Sequence, residues 1–261
     1  MRALCLDHLT LGDLTALELI EVAGELGCAA VSLFVQPLPL GPYKDLVNDA
    51  AARREVLSAL RDRRLSVGIV EPFMLQGNTD WSELERLAEL AAELGGRINA
   101  LGFDRKPGRL RDGICRLARI ADSVGVEMVI EAFPLSSIRT LADALALAVE
   151  AGPRVGLCVD TLHVTRSGGS WADVAALPPE RILHVQLNDG PLEPPEDRYL
   201  EATLRRLPPG QGAFDLASFT LLIPPTATIA IEAPFLAPDG MTPVERGRVV
   251  VDATRRLLAG A

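Results

Sequence analysis

The chain has 261 residues, of which 48% are apolar, 23% charged and only 4% aromatic. A chain of this length folds as one large α/β domain or as two smaller ones, and it needs neither a disulfide nor a structural metal to fold. Its 26 basic and 35 acidic residues give a net charge of −9 without any basic run, so nucleic acid and anionic membrane surfaces are not expected partners.

Cysteine use and hydropathy indicate where the chain resides. The four cysteines are scattered, form no C-x-x-C pair and mostly lie in or beside apolar runs, which predicts a reducing, cytoplasmic setting. The sequence MRALCLDHLT lacks the basic and apolar segments of a signal peptide. No stretch reaches about 18 apolar residues, so no membrane span is expected.

Short apolar runs alternate with segments of helical periodicity along the whole chain. The runs predict eight strands at Ala3–Leu6, Ala29–Phe34, Ser66–Val70, Ile98–Leu101, Glu127–Ile130, Val155–Val159, Ile182–Leu187 and Thr226–Ile231. The periodic segments predict helices from Leu14 to Leu26, from Asp80 to Gly95, and over Leu110–Val124, Thr140–Ala151 and Val244–Leu258.

Eight strands that alternate with helices indicate parallel βαβ units. A doubly wound sheet is the alternative, but no G-x-G-x-x-G follows the first strand. The count, the spacing and the length therefore predict a single (β/α)8 TIM barrel over residues 1–261. The least regular segment, Asp189–Pro209, is rich in proline and charge, and it is predicted to be an active-site loop.

Polar residues follow four consecutive strands at the end where barrel enzymes place their chemistry. These residues are Glu131, Asp160, Gln186 and Glu232. Alone, each is more typical of a helix N-cap or a loop. Together, three crowded carboxylates would repel one another unless a cation neutralises them, and their oxygens suit Mn²⁺ or Mg²⁺ better than zinc.

Several motifs resemble those of the xylose-isomerase-like barrel superfamily, the sugar phosphate isomerase/epimerase group that includes 3-dehydroshikimate dehydratases. They are I-E-A at Ile130–Ala132, V-D-T-L-H at Val159–His163, H-V-Q-L-N-D at His184–Asp189, L-P-P-G-Q-G at Leu207–Gly212 and I-E-A-P at Ile231–Pro234. The similarity spans the chain and identifies no substrate.

The resemblance implies one divalent ion bound by the four rim residues, with Glu131 and Glu232 also moving protons. It implies that His163 contacts substrate or helps proton transfer, although orienting Asp160 is an alternative role. Most epimerases of the group have histidine where this chain has Gln186, and glutamine there resembles one set of bacterial 3-dehydroshikimate dehydratases. Asn188 replaces the usual lysine of the motif.

Further substrate contacts are expected around the same rim. The candidates are His8, Glu71, His163, His184, Arg198 and Arg205, and Arg206 lies in the same loop as the other two arginines. A guanidinium in that loop could bind a carboxylate or phosphate in a bidentate manner. His8 could equally be a loop histidine with satisfied hydrogen bonds, and Glu71 could bind a loop backbone.

The leading functional hypothesis is a metal-dependent isomerase or epimerase of a small ketose-like substrate, acting through an enediolate. The alternative is a metal-dependent dehydratase of the 3-dehydroshikimate type, which needs a well-placed arginine for the substrate carboxylate. An apurinic-site endonuclease is disfavoured by three histidines and a charge of −9. A sugar-binding sensor without catalysis stays open, as does a homo-oligomer, since barrels of this group often associate.

Overall fold

The computed structural model describes residues 2–260, and its eight parallel strands form a closed barrel in chain order. The strands are β1 (Leu4–Leu6), β2 (Ala30–Phe34), β3 (Ser66–Leu75), β4 (Arg97–Gly102), β5 (Met128–Glu131), β6 (Val155–Asp160), β7 (Ile182–Leu187) and β8 (Thr228–Ile231). Because β1 also pairs with β8, the predicted barrel is confirmed over a doubly wound sheet.

Helices connect the strands on the outside of the barrel. They are α1 (Ala16–Glu25), α2 (Ala50–Arg63), α3 (Trp81–Leu94), α4 (Pro107–Ser123), α5 (Leu141–Ala151), α6 (Thr161–Arg166), α7 (Trp171–Ala175), α8 (Arg198–Leu204), α9 (Leu216–Thr220) and α10 (Pro243–Ala259). Two 3₁₀ turns cover His8–Leu11 and Pro179–Arg181.

Local sequence signals account for the helix ends. The Asp80 carboxylate accepts hydrogen bonds from the first backbone amides of α3, and Gly95 ends that helix in a left-handed conformation at φ 75°. Thr140 and Asp143 form a capping box at the start of α5. The predicted boundaries of these helices are therefore confirmed to within a few residues.

Helices α2, α6, α7 and α9 were not among the predicted helices, and two further segments differ from the sequence-based boundaries. Strand β3 continues to Leu75, because residues Phe73 to Leu75 pair with β4 beyond a register shift, so Glu71 lies inside the strand instead of after it. The segment Asp189–Pro209 contains helix α8, and backbone bonds between Asp189 and Leu207 close it into a compact loop. The short helix was not predicted because the segment is rich in proline and charged residues, which are typical of loops.

The main apolar core lies between the barrel and its helices, where residues such as Leu19 and Val250 are fully buried. Both faces of a parallel strand are covered in this architecture, which explains the nearly continuous apolar runs of the sequence. None of the helices within residues 2–260 combines the length and the apolar character needed to cross a membrane.

Candidate functional site

The four rim residues come from neighbouring strands and lie buried at one end of the barrel. Glu131 is the last residue of β5, Asp160 the last of β6 and Gln186 the fifth of β7, and Glu232 follows β8 directly. Asp160 and Gln186 are register partners. Each of the four residues is at most 6% exposed, so their polar groups are shielded from water.

A buried arginine connects two of these carboxylates. The Nη1 atom of Arg206 lies 2.6 Å from Asp160 Oδ2 and 2.8 Å from Glu232 Oε2. Arg206 is 2% exposed, and backbone carbonyls of Ala202 and Glu232 also accept its hydrogen bonds. Within residues 2–260, no hydrogen bond is formed by Nη2 of this guanidinium. Arg206 is also one of the residues that line a neighbouring cavity.

The other two arginines of the loop are placed differently. Arg198 begins helix α8 and Arg205 follows its end, and both side chains are exposed. The structure therefore does not bring these two predicted substrate contacts to the carboxylate cluster. Arg206 takes the position expected of them, and sequence reasoning could not choose among three arginines within nine residues of an irregular loop.

Gln186 joins the cluster through its amide nitrogen. Nε2 donates to Asp7 Oδ2 and to Glu232 Oε1, both at 3.0 Å, while Oε1 accepts from the Cys158 thiol. Asp7 is fully buried and was not among the predicted residues. It directly follows the apolar run of β1, so the rule that selected Glu131 could have found it.

Glu131 has a different set of partners. Its Oε2 accepts a hydrogen bond of 2.6 Å from Asn99 Nδ2, and the same nitrogen donates to Glu71 Oε2 at 2.9 Å. Its Oε1 lies 3.3 Å from His163 Nε2. The sequence did not indicate a role for Asn99, because this residue lies in the middle of β4, inside a run that is typical of a buried strand.

Burial and neighbouring charges shift the pKa values of the acids in this cluster in opposite directions. Burial raises the pKa of Glu232 well above its ordinary value, although Arg206 opposes the shift. Burial, followed by the charges of Asp7 and Glu131, also raises the pKa of Glu71. Burial would raise the pKa of Asp160 as well, but the charge of Arg206 and other stabilising contacts lower it to about 2.

Two predicted histidine contacts lie near the cluster but outside the cavity beside it. His8 uses both ring nitrogens structurally, since Nε2 bonds the Leu14 carbonyl at 2.9 Å and Nδ1 accepts from the Phe34 amide at 3.0 Å. His184 is fully buried, and neither of its nitrogens forms a hydrogen bond within residues 2–260, although Nε2 lies 3.6 Å from Asp7 Oδ2. Neither histidine lines the cavity.

A cavity of about 180 Å³ lies against this cluster. Its charged and imidazole lining comes from Glu71, Glu131, His163, Arg206 and Glu232, and Tyr199 and Thr203 add two hydroxyl-bearing side chains. Apolar side chains form most of the remaining wall, including Leu38, Leu40, Met74, Phe103 and Phe133. Phe133 packs on His163, with 4.6 Å between the ring centroids.

A larger cavity of about 790 Å³ opens at the opposite end of the barrel. Its arginines already have partners: backbone carbonyls bind Arg2, Glu127 and Thr228 bind Arg97, and Asp122 and a carbonyl bind Arg154. Barrel enzymes place their chemistry at the carboxyl ends of the strands, so the smaller cavity is the candidate site.

The donor set and the charge of the cluster suit a divalent cation. Glu131, Asp160 and His163 each offer one atom, and these atoms lie within 4.8 Å of one another. Among residues 2–260, the cluster contains one buried guanidinium, that of Arg206, and five buried carboxyl groups: Asp7, Glu71, Glu131, Asp160 and Glu232. A further cation would therefore reduce the repulsion between the carboxylates. Glu232 faces Arg206, and Gln186 would have to turn its amide to present its oxygen.

Comparison with known proteins agrees with this architecture. A family model described as a xylose isomerase-like TIM barrel matches residues 20–224. The 3-dehydroshikimate dehydratase of Pseudomonas aeruginosa is 28% identical in a 220-residue alignment that covers 77% of this chain and 33% of that protein. The chain therefore spans about a third of the length of this curated relative.

Solved structures show the same fold. A crystal structure of the IOLI protein with a bound zinc atom has a TM-score of 0.79 and 18% identity, with 99% of both chains covered. The 3-keto-D-glucoside 4-epimerase YcjR of E. coli has a TM-score of 0.72 and 18% identity over 99% of this chain and 100% of the other. At these identities, the likeness concerns the fold alone.

Proposed function

Because the chain belongs to the xylose isomerase-like TIM barrel family, we propose that it is a divalent-metal-dependent enzyme that removes a proton beside the carbonyl of a small hydroxy-carbonyl compound. The observation that carries the proposal is the buried cluster of five carboxyl groups and one guanidinium against the cavity. Burying this many carboxyl groups is costly for the fold alone, and such clusters are typical of functional sites.

Glu131, Asp160, Gln186 and Glu232 would hold the ion, and their hard oxygens suit Mn²⁺ or Mg²⁺. His163, beside Glu131 and Asp160, would also admit zinc, the metal named for the IOLI protein. When bound, the ion would polarise the substrate carbonyl and offset the charge of the enolate oxygen.

Glu131 is the side chain that we assign as the base. Among residues 2–260, no backbone or amide group donates a hydrogen bond to its Oε1, which lies 3.3 Å from His163 Nε2. Glu232 is a weaker candidate, since Gln186 donates to one of its oxygens and Arg206 to the other. His163 would receive the proton from Glu131 and pass it on.

Arg206 would bind the substrate through Nη2, the guanidinium nitrogen without a partner among residues 2–260. A carboxylate is the group that a guanidinium binds best. Glu71 also lines the cavity, and its Oε1 has no hydrogen-bond partner among residues 2–260, so it would accept a substrate hydroxyl. A hydroxy-ketone that carries a carboxylate would therefore use both Arg206 and Glu71.

We propose dehydration as the reaction that follows. Glu131 takes the proton, the electron pair of the C–H bond becomes the enolate, and the enolate expels the β-hydroxyl while His163 returns the proton to it. One water leaves and one C=C bond forms. The buried Arg206 and the 28% identity to a 3-dehydroshikimate dehydratase support this version.

Epimerisation or isomerisation of a ketose is the second candidate. Glu131 at the end of β5 and Glu232 after β8 both line the cavity. A reaction of this kind needs one base on each side of the substrate, and these two carboxylates would supply them. Release of Glu232 from its two donors would be necessary for that reaction.

The test compares 3-dehydroshikimate with D-tagatose in D₂O, with Mn²⁺ or with a chelator, by proton NMR and by ultraviolet absorbance of the dehydrated product. We expect metal-dependent loss of water from 3-dehydroshikimate, reduced about 10²- to 10⁴-fold in Glu131→Gln. Glu127→Gln, at the opposite end of the same barrel, is the matched control. Exchange into tagatose alone would support the second candidate, and exchange that survives Glu131→Gln would contradict the assigned base.

A further inference from the structure

The guanidinium of Arg206 occupies the point where two predicted metal ligands meet. We infer that Arg206 competes with the divalent ion for Asp160 and Glu232 and thereby sets the metal affinity of the cluster. The inference rests on the metal dependence proposed above, and it concerns the binding of the ion, separately from the reaction.

The carboxylate oxygens of both residues are already engaged. Asp160 Oδ2 accepts from Arg206 Nη1 at 2.6 Å and from Asn188 Nδ2 at 3.0 Å, while its Oδ1 caps helix α6 through the His163 amide. Glu232 accepts from Gln186 through Oε1 and from Arg206 through Oε2. An ion that takes these oxygens must lengthen or break the contacts with Nη1.

The charge of Arg206 should weaken the binding of the metal ion. The guanidinium and a divalent ion are both cations, and in a buried site the repulsion between neighbouring charges is only weakly screened. In the absence of metal, the same guanidinium reduces the repulsion between Asp160 and Glu232. Arg206 should therefore stabilise the metal-free protein and oppose metal loading, which is the reciprocity that linkage requires.

Arg206 cannot leave the site easily, because uncharged groups hold it there. Its Nε donates to the Ala202 carbonyl at 2.8 Å, Nη1 also donates to the Glu232 carbonyl, and its backbone amide bonds the Pro234 carbonyl at 2.8 Å. These bonds do not depend on either carboxylate side chain. The positive charge should therefore remain beside the ion after metal binds.

The experiment measures Mn²⁺ affinity of the full chain by titration calorimetry and by chelator competition, for the wild type, Arg206→Met and Arg206→Lys. Arg206→Met removes the charge and keeps the side-chain length, and we expect at least about tenfold tighter Mn²⁺ binding. We also expect a lower melting temperature in chelator. A purely structural role predicts the opposite change in affinity, because disordered ligands bind an ion more weakly.

Arg206→Lys keeps the charge, and it allows the test to be made if Arg206→Met does not fold. One ammonium cannot reproduce the contacts of the guanidinium with both carboxylates and the Ala202 carbonyl, so we expect a smaller gain in affinity. Arg205→Met, one position away and exposed, is the control and should leave the affinity unchanged.

The outcomes separate this inference from the proposed function. If the wild type binds Mn²⁺ and both Arg206 variants bind it equally or more weakly, competition by Arg206 is overturned while the metal-dependent function stands. If neither the wild type nor the variants bind Mn²⁺ or Zn²⁺, both are overturned. Tighter binding by the variants supports the inference even if no substrate is turned over.

Discussion

At the end of strand β6, the two oxygens of Asp160 have different tasks. Oδ1 caps helix α6, which is the role that an isolated aspartate after a strand most often has. Oδ2 faces Arg206 and Asn188 within the cluster. A structural and a functional interpretation of this residue are therefore compatible, because the two lone-pair regions of one carboxylate point to different neighbours.

Glu71 provides a prediction about pH. Burial raises its pKa in the folded chain above the ordinary 4.5, so the folded state binds this proton more tightly than the unfolded state does. The resulting stability is present below pH 4.5 and is lost as the pH rises toward the folded pKa. Glu71→Gln cannot ionise, so in chelator its stability relative to the wild type should increase with pH.

Urea unfolding between pH 4.5 and pH 8 measures this difference, with Glu89→Gln on the exposed face of α3 as the control for the substitution itself. A difference between Glu71→Gln and the wild type that stays constant over this range would contradict the explanation.

Single residues also show what the sequence could and could not predict. The positions of four residues were predictable because each lies at or next to the end of an apolar strand, and strand order then places them together: Glu131, Asp160, Gln186 and Glu232. The sequence could not single out Arg206 from the other arginines of its irregular loop, and it gave no signal for Asn99, which lies inside a strand. Contacts of that kind depend on packing between elements distant in the chain, which periodicity does not report.

Among the elements, the strands were the most predictable. All eight predicted runs coincide with strands, and the β7 boundaries agree fully, because Val, Ile and Leu runs bounded by turns are typical of buried parallel strands. Helix α8 was missed because it is short and surrounded by proline.

Asp189 stabilises the turn that follows helix α8, because its carboxylate accepts hydrogen bonds from three backbone amides. Gly212 is packed against this carboxylate, and a Cβ atom at Gly212 would lie 2.3 Å from it.

A buried ion pair fixes helix α8 beside the site and permits a prediction. Arg166 of α6 binds Glu201 of α8 through two bonds, at 2.6 and 2.9 Å, and it also donates to the Pro191 carbonyl. The side chains are 5% and 2% exposed. Arg166→Met would leave Glu201 buried without its partner, so we expect a loss of about 3–5 kcal/mol of unfolding free energy.

Urea unfolding checks this value, and limited proteolysis checks whether residues 189–209 are cleaved faster. The matched control is Arg248→Met, since the pair of Arg248 and Glu25 is long, at 3.9 Å, and more than half exposed. That substitution should change the unfolding free energy by at most about 1 kcal/mol. Equal effects of the two substitutions would contradict a stabilising role for the buried pair.

At the scale of the molecule, closure of the barrel brings residues from both ends of the chain into one cluster. Asp7 directly follows β1 and Glu232 directly follows β8, and both contact Gln186. The cluster therefore forms only when the first and last strands pair. Its surplus of buried carboxyl groups opposes closure, so whatever neutralises the cluster should stabilise the whole barrel.

This coupling predicts that divalent metal raises the stability of the entire chain. A ligand that binds only the folded state at one hundred times its Kd adds about 2.7 kcal/mol, which for a chain of this size corresponds to a rise of roughly 5–10 °C in Tm. Differential scanning calorimetry with Mn²⁺ and with chelator measures the shift. KCl at equal ionic strength controls for general screening, and Asp160→Asn removes one carboxylate without changing its size. The explanation requires the shift to be absent with KCl and strongly reduced in Asp160→Asn, and an undiminished shift in that variant would place the ion elsewhere on the molecule.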